Sequence, residues 1–450
     1  MTRALVLAVM FSTAAASAAA PQQEAPPPPP PQQQGPQPLT LDDAVRISLQ
    51  RNPDLQRQIL LTLSAEQDKV LARANILPSL DFNASVSGVR TNGPHVNTDV
   101  GTVTLGTLFQ PNYTGRLSIS QLIFDGGKWW NNMAAQDRAY QSNVAQTDEQ
   151  RLQITYLVEQ RFYELIRAQR QLQVLTDAAT RSRDQADFSQ RLFDGGRATQ
   201  ADVYAARATR DNDEVTRLGQ ERVVELARAD LALAIGVDPA EPLTVAEPQR
   251  MMADPAQPPP AKDAVSRALE NRPSIKAAAL LVESNQKLTA VAKGDYWPSL
   301  TAGASWQRGT TEASQYFETP VHNSQATIGV TLNWNLFRGL STDANVRKAE
   351  IQALLSQNDL ENARRNVASD VEKAVAQLSV ARAQARVAQQ AEQTAKESLR
   401  LARTRQEVGV GTQLEVLDAQ LRLTQAQLNV VGSLVDGREA ESALRRAQGG

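Results

Sequence analysis

Cysteine is absent from this 450-residue chain, so no disulfide, thiolate metal site or cysteine nucleophile can form, and no thiol is present to carry a lipoprotein's acyl anchor. Histidine is almost absent. His95 and His322 are the only two, without a carboxylate cluster at metal-ligand spacing beside them, which nearly excludes imidazole-based enzymology. Aromatic residues reach only 5%, and much of the 41% hydrophobic content is alanine, which suits closely packed helices better than a Leu/Phe interior. Neither sign of charge dominates: 47 Lys and Arg against 49 Asp and Glu leave a formal net charge of −2, so no basic field points to nucleic acid. No nucleotide-binding loop, nucleophile constellation or cofactor motif is present, so no enzyme activity and no cofactor are expected.

The chain starts with a recognisable address. Thr2 and Arg3 precede an apolar run from Ala4 to Phe11 and the small residues Ser12 to Ala20, the regions of a secretory signal, expected over 1–18. That run is too short to span a bilayer. Residues 19–38, rich in Pro and Gln, lack what a core or a strand ladder requires and read as an extended leader.

Beyond the leader the chain is one unit written twice. Asp43-Ala44-Val45 recurs as Asp263-Ala264-Val265, and Pro78-Ser79-Leu80 as Pro298-Ser299-Leu300, at an offset of 220. The offset then drops to 213. At that spacing Ile123-Phe124-Asp125-Gly126 answers Leu336-Phe337-Arg338-Gly339, and Gly196-x-x-Thr199-x-x-Asp202-Val203 answers Gly409-x-x-Thr412-x-x-Glu415-Val416. The repeats are expected at 39–235 and 263–447, joined by a Pro-rich connector over 236–262 that should lie outside the helical rod. Each reads as helix, helix, strand, loop, strand, very long helix, turn and long helix.

In the long helices, Ile154, Val158, Arg161, Leu165, Ala168, Leu172, Leu175 and Ala179 alternate spacings of four and three, as do Val367, Val371, Ala374, Leu378, Ala381, Ala385 and Ala388. This is coiled-coil spacing, and ~65 residues at ~1.5 Å each makes a rod of nearly 100 Å. Thr40, Thr199 and Thr412 are expected helix caps, with Asp43, Asp202 and Glu415 as their capping-box partners.

Strands are expected at about 79–90, 113–124, 299–308 and 324–337. Leu80, Phe82, Ala84 and Val86 alternate with polar residues, and Ala326, Ile328, Val330, Leu332, Trp334 and Leu336 with Gln325, Thr327, Gly329, Thr331, Asn333 and Asn335. Around Tyr113 to Ile123 the pattern is interrupted by Gln121. A half-buried soluble sheet alternates in the same way, but all five tryptophans (Trp129, Trp130, Trp297, Trp306 and Trp334) lie in or beside these strands, as an interfacial aromatic girdle requires. Asp81 and Arg116 fall on the polar face. Four strands cannot close a barrel in lipid, where each unpaired backbone group costs several kcal/mol, so copies must assemble; closure alone permits two, three or four.

The paired LPSL/WPSL and FDGG/FRGL junctions and the two GxxT turns together resemble the TolC-like outer-membrane efflux protein family over about residues 39–447. The resemblance implies a mainly α chain with membrane β: a homotrimeric channel-tunnel with a 12-stranded transmembrane β-barrel and a coiled-coil α-helical barrel in the periplasm. Such a protein is the outer-membrane exit duct of a tripartite efflux pump or type I secretion system, with a periplasmic adaptor and an inner-membrane transporter as partners. It further implies that the turns at Gly195, Gly196, Arg197, Thr199 and at Gly409, Gly411, Thr412 form the periplasmic entrance and adaptor contact. Glu415 and Asp418, one helix face apart by three residues, would form acidic constriction rings, with Asp202 nearby. Gly411 stands where a gating Arg is expected, leaving Arg197 and Arg405 as substitutes. Any belt around the rod is expected to come mainly from 39–52 and 236–272. A periplasmic coiled-coil adaptor is the alternative, against which the duplicated strands argue.

Overall fold

A computed structural model describes residues 38–91, 95–98, 101–104, 108–240, 243–249, 251–316 and 324–450, with side chains outside 91–108. The signal over 1–18, nearly all of the leader, His322 and the His95 side chain lie outside the described residues. Residues 39–450 form one compact unit.

Its elements run α1 (Leu41–Arg51), α2 (Pro53–Ala74), β1 (Ser79–Thr91), β2 (His95–Thr98), β3 (Gly101–Thr104), β4 (Leu108–Phe124), α3 (Lys128–Asp194), α4 (Gln200–Ile235), α5 (Ala261–Asn271), α6 (Pro273–Lys293), β5 (Ser299–Thr310), β6 (Ser324–Asn333), α7 (Ser341–Glu407) and α8 (Gln413–Gln448). Compared with the sequence reading, β4 starts five residues earlier, at Leu108, and β5 runs two further, to Thr310. β6 stops at Asn333, short of the expected 337, because β5 begins at Ser299, directly opposite Asn333, and offers the next residues no partner.

Each long helix has two shorter ones along it. α3 packs against α2 and α4 on one side and α6 and α8 on the other, while α7 packs against α6 and α8. The wall is therefore four columns wide: α2 with α4, then α3, then α6 with α8, then α7. Buried residues concentrate where the shorter helices meet at the middle of a long one. Leu55 of α2 and Leu231 and Ile235 of α4 close on Val158, Phe162 and Leu165 of α3. In the second repeat Ile275, Leu444, Val371 and Leu378 occupy equivalent places, with Ala374, Ala381 and Ala440 between them. The alanine-rich composition is explained here, since small side chains let helices approach closely.

One cap has moved between the repeats. Asn52 caps α2, its Oδ1 accepting from the amides of Asp54 (2.9 Å) and Leu55 (3.3 Å), and its Nδ2 donates to Ala234 O at the end of α4. Its repeat mate is Arg272, which lacks an acceptor. Glu149 of α3 supplies the carboxylate instead, accepting from Ser274 N at 3.3 Å and from Arg272 Nη2 at 3.1 Å.

α1, α5 and the connector pack across the columns at the level of these cores. The connector packs on the columns through apolar side chains and backbone acceptors. Leu39 bridges Val245, Met251 is buried with Phe162 and its neighbours, and Pro255 lies on Gly437, where a Cβ would come within 2.3 Å of its ring.

The sheet has the order β1-β4-β5-β6, all antiparallel, with β1 and β6 at its edges. Register puts Leu80 opposite Ile119, Ile119 opposite Ala304 and Ala304 opposite Ile328, so one face is apolar from edge to edge. That face is open, with Ile328 88% and Phe82 66% exposed. Gln121 breaks it without leaving its amide bare: Nε2 donates to Ile76 O and to Leu122 O, beside the bulge between Leu122 and Phe124. No described helix is long and apolar enough to cross a membrane.

Candidate functional site

The two turns at the ends of α3 and α7, farthest from the sheet, share a hydrogen-bond scheme. Gly196 N donates to Phe193 O and Arg197 N to Leu192 O; at the 213 offset, Gly409 N donates to Gln406 O and Val410 N to Arg405 O. Gly196 and Gly409 have φ +71° and +81°, the left-handed conformation that closes a helix and suits glycine. Gly195 precedes the first of these, and its amide satisfies Arg191 O at 3.1 Å. Thr199 and Thr412 then cap α4 and α8.

The caps differ, which corrects half of the expectation. Thr199 and Asp202 form the reciprocal box: Thr199 Oγ1 accepts from Asp202 N, and Asp202 Oδ2 accepts from Thr199 N at 2.9 Å. These bonds hold the Asp202 carboxyl below the usual carboxylate range. Thr412 accepts from Glu415 N at 3.3 Å, but the Glu415 carboxylate turns to Arg405, 3.8 Å away. Its longer side chain reaches past its own cap. Asp418, one turn on, accepts from Arg422 Nε at 2.7 Å. Both acids thus have exposed arginine partners, pairs that contribute only about 0–1 kcal/mol each and are readily exchanged for another cation.

At Gly411 the turn is too tight for a side chain. A Cβ there would stand 2.9 Å from both Arg405 Cβ and Gln406 N. An arginine at this position would force the turn apart, and the cations beside the two turns are Arg405 and Arg197. Arg405 meets Glu415, and the Arg197 guanidinium lies across the other turn, 4.0 Å from the Cβ position of Gly409.

A buried amide cluster, unrecognised in the sequence, fastens the hairpins together. Gln185 of α3, 6% exposed, donates from Nε2 to Gln413 Oε1 (2.8 Å) and Gln406 Oε1 (3.3 Å). Gln406 Nε2 also donates to Gln413 Oε1. The signal lay in the heptads, which continue past Ala179 through Ser182, Gln185 and Ala186, all buried; scoring only apolar residues hides such a layer. Above it, Arg181 Nη2 donates to Thr424 Oγ1 at 3.0 Å in a cleft of about 570 Å³ that also holds Asp213, Asp418 and Gln420.

At the other end, Trp129 and Trp130 stack at 3.7 Å in the first turn of α3, and Trp334 Nε1 donates to Tyr296 O beside Trp297. Trp306 lies nine residues beyond Trp297, about 30 Å of strand, or roughly 23 Å of height at a ~40° tilt; an outer-membrane apolar band is ~25 Å tall. Asp81 faces Ser118 and Arg116 faces Asn83, so these two charges are not opposite each other. Arg116 shares its face with Ser118, Ser120, Thr301, Ser305 and Thr331. Among the described residues no group of three or more His, Asp or Glu could hold a metal ion.

A family model described as outer membrane efflux protein matches residues 44–237 and 264–450, one segment per repeat. The outer membrane protein TolC of Vibrio cholerae is 22% identical over 396 residues, covering 87% of each chain. The proteases secretion protein PrtF of Dickeya chrysanthemi is 23% identical, covering 85% of this chain and 82% of its own. Among solved structures CusC, described for its conformational changes accompanying folding and transmembrane channel formation, superposes with a TM-score of 0.79 at 18% identity, covering 91% of this chain and 92% of its own.

Proposed function

The chain belongs to the outer membrane efflux protein family, and from that premise we propose how its parts serve as a gated exit duct. It resides in the outer membrane with its helical part in the periplasm, and it serves efflux or type I secretion. Three copies would supply twelve strands and close the barrel, with the apolar face toward lipid and the Arg116 face toward water. Trp129, Trp130, Trp297 and Trp334 would mark one interface and Trp306 the other. The observation carrying this reading is a four-stranded sheet, apolar on one exposed face and polar on the other, with both edges unpaired.

The duct is passive, its energy coming from an inner-membrane transporter. The turns around Gly195–Thr199 and Gly409–Thr412 are the adaptor's contact and the entrance. Glu415 and Asp418 are the gate's acidic rings, each carboxylate screened at rest by Arg405 or Arg422 and released when a mobile cation replaces the arginine. Asp202 serves α4 as its cap. The Gln185–Gln406–Gln413 layer is the closure between the hairpins, neutral and therefore insensitive to salt.

The test is block of conductance by spermidine in planar bilayers. Glu415→Ala with Asp418→Ala is expected to weaken block by about tenfold or more, a free-energy change of about 1.4 kcal/mol. Unchanged block would remove these two residues from the gate.

A further inference from the structure

Down the α3-facing side of α8 runs a row of glutamines seven residues apart, Gln413, Gln420 and Gln427. The outer two are bonded. Gln413 Oε1 accepts from Gln185 and Gln406, and Gln427 Oε1 accepts from Arg181 Nη2 at 3.5 Å. Gln420 between them is 6% exposed, and neither its Nε2 nor its Oε1 has a hydrogen-bond partner among the described residues. The helix does not require an amide at this position, because two heptads further on it is filled by Leu434, 1% exposed. A leucine at 420 would avoid the cost of a buried donor and acceptor left unmade.

Gln420 lines the cleft of about 570 Å³ described above, a volume within the range of small-molecule sites. α4 and α8 both pack on α3 and scarcely touch each other, so α3 is the floor of the cleft and the other two are its walls. Leu414, Leu417 and Leu421 of α8, with Ala205 and Ala208 of α4, give the lining its apolar part. Charge favours neither sign: Arg181, Arg403 and Arg422 stand against Asp177, Asp213 and Asp418, and Arg422 holds Asp418 at 2.7 Å. The cleft also reaches the gate's side of α8. Steps of seven carry Asp418 through Gln425 and Gly432 to Glu439, whereas the connector lies on Gly437 and bonds Glu441, each two residues off and therefore across the helix.

We propose that this cleft binds a neutral amphipathic carboxamide, whose amide pairs reciprocally with Gln420 and whose hydrocarbon part lies on Leu414, Leu417 and Leu421. Its place on the path of an exported molecule, just inside the entrance, rests on the exit-duct reading above. Gln420 offers a donor and an acceptor side by side, and a carboxamide returns an acceptor and a donor at the same spacing. An ammonium supplies only donors and a carboxylate only acceptors, so either leaves half of the Gln420 amide unmade and adds a charge that the balanced lining does not call for.

Hexanamide, hexanoate and hexylammonium share a tail and differ in the head. With the assembled protein in lipid nanodiscs, ligand-observed NMR is expected to find hexanamide bound at least tenfold more tightly than either charged analogue. Gln420→Leu, close in volume, should reduce hexanamide to the level of the other two. Ala208→Phe, placed on an exposed position of α4, should fill the cleft and exclude all three while leaving Gln420 intact. Equal binding of the three heads, tightest binding of hexylammonium, or hexanamide binding unchanged in Gln420→Leu overturns the proposal. The same preparation is tested for conductance in planar bilayers. A conducting protein that binds no hexanamide overturns the site and leaves the duct in place, whereas a preparation that conducts nothing overturns the duct reading.

Discussion

Leu340 has φ +64° at the start of α7, where its repeat mate Gly127 has +80° at the start of α3. A left-handed conformation costs a residue with a Cβ roughly 1–2 kcal/mol, and Leu340 is mostly exposed, so burial offsets little of it. Leu340→Gly is expected to raise stability by about 0.5–1 kcal/mol after the added freedom of the unfolded chain is deducted, read as a higher unfolding midpoint. Gly411 shows the opposite case, a residue whose lack of a Cβ is required by contacts to Arg405 and Gln406. The sequence marked Gly411 as unusual without revealing why, because the obstruction lies in the backbone of the preceding turn.

Among the helices, the transferred cap of α6 is the most consequential contact. Glu149 and Arg272 are both buried, 8% and 6% exposed, and removing Arg272 leaves the Glu149 carboxylate with the Ser274 amide alone, while Arg272 also lies 3.7 Å from Asp370. Arg272→Ala is expected to cost about 3–5 kcal/mol, while Arg272→Met with Glu149→Gln should cost far less; a double-mutant cycle on thermal unfolding checks the coupling. The start of α4 depends on pH through Asp202. Its carboxyl is depressed by bonds from Thr199, so the contribution is fully present above the ordinary carboxylate range and is lost as pH falls through the depressed folded value. Hydrogen exchange in the first turn of α4 should accelerate over that acid window, and Asp202→Asn should remove most of the dependence. The long helices, the hairpins and both turns were legible from heptads, alternation and the two offsets, since these are local regularities. What was not legible depends on contacts between distant segments. Examples are the Gln185 layer, the Glu149 cap, the docked connector and the diversion of Glu415 to Arg405.

At the scale of the whole molecule, the sheet makes the strongest demand on its surroundings. Its apolar face stays uncovered and both edges stay open, an arrangement neither water nor lipid tolerates in a single chain. Lipid around the apolar face and further copies at the edges resolve both problems. The helical columns raise the same demand, since Leu60, Leu63 and Val70 on α2 and Val215, Leu218 and Leu226 on α4 remain exposed along the outer column. α7 likewise exposes Ile351, Leu354 and Val387. The most direct measurement is extraction of the native protein from the outer membrane, followed by gel migration with and without boiling and by mass determination of the unboiled species. An oligomer of three chains that falls to one on boiling is expected. A soluble monomer, or a membrane species of one chain, would contradict it.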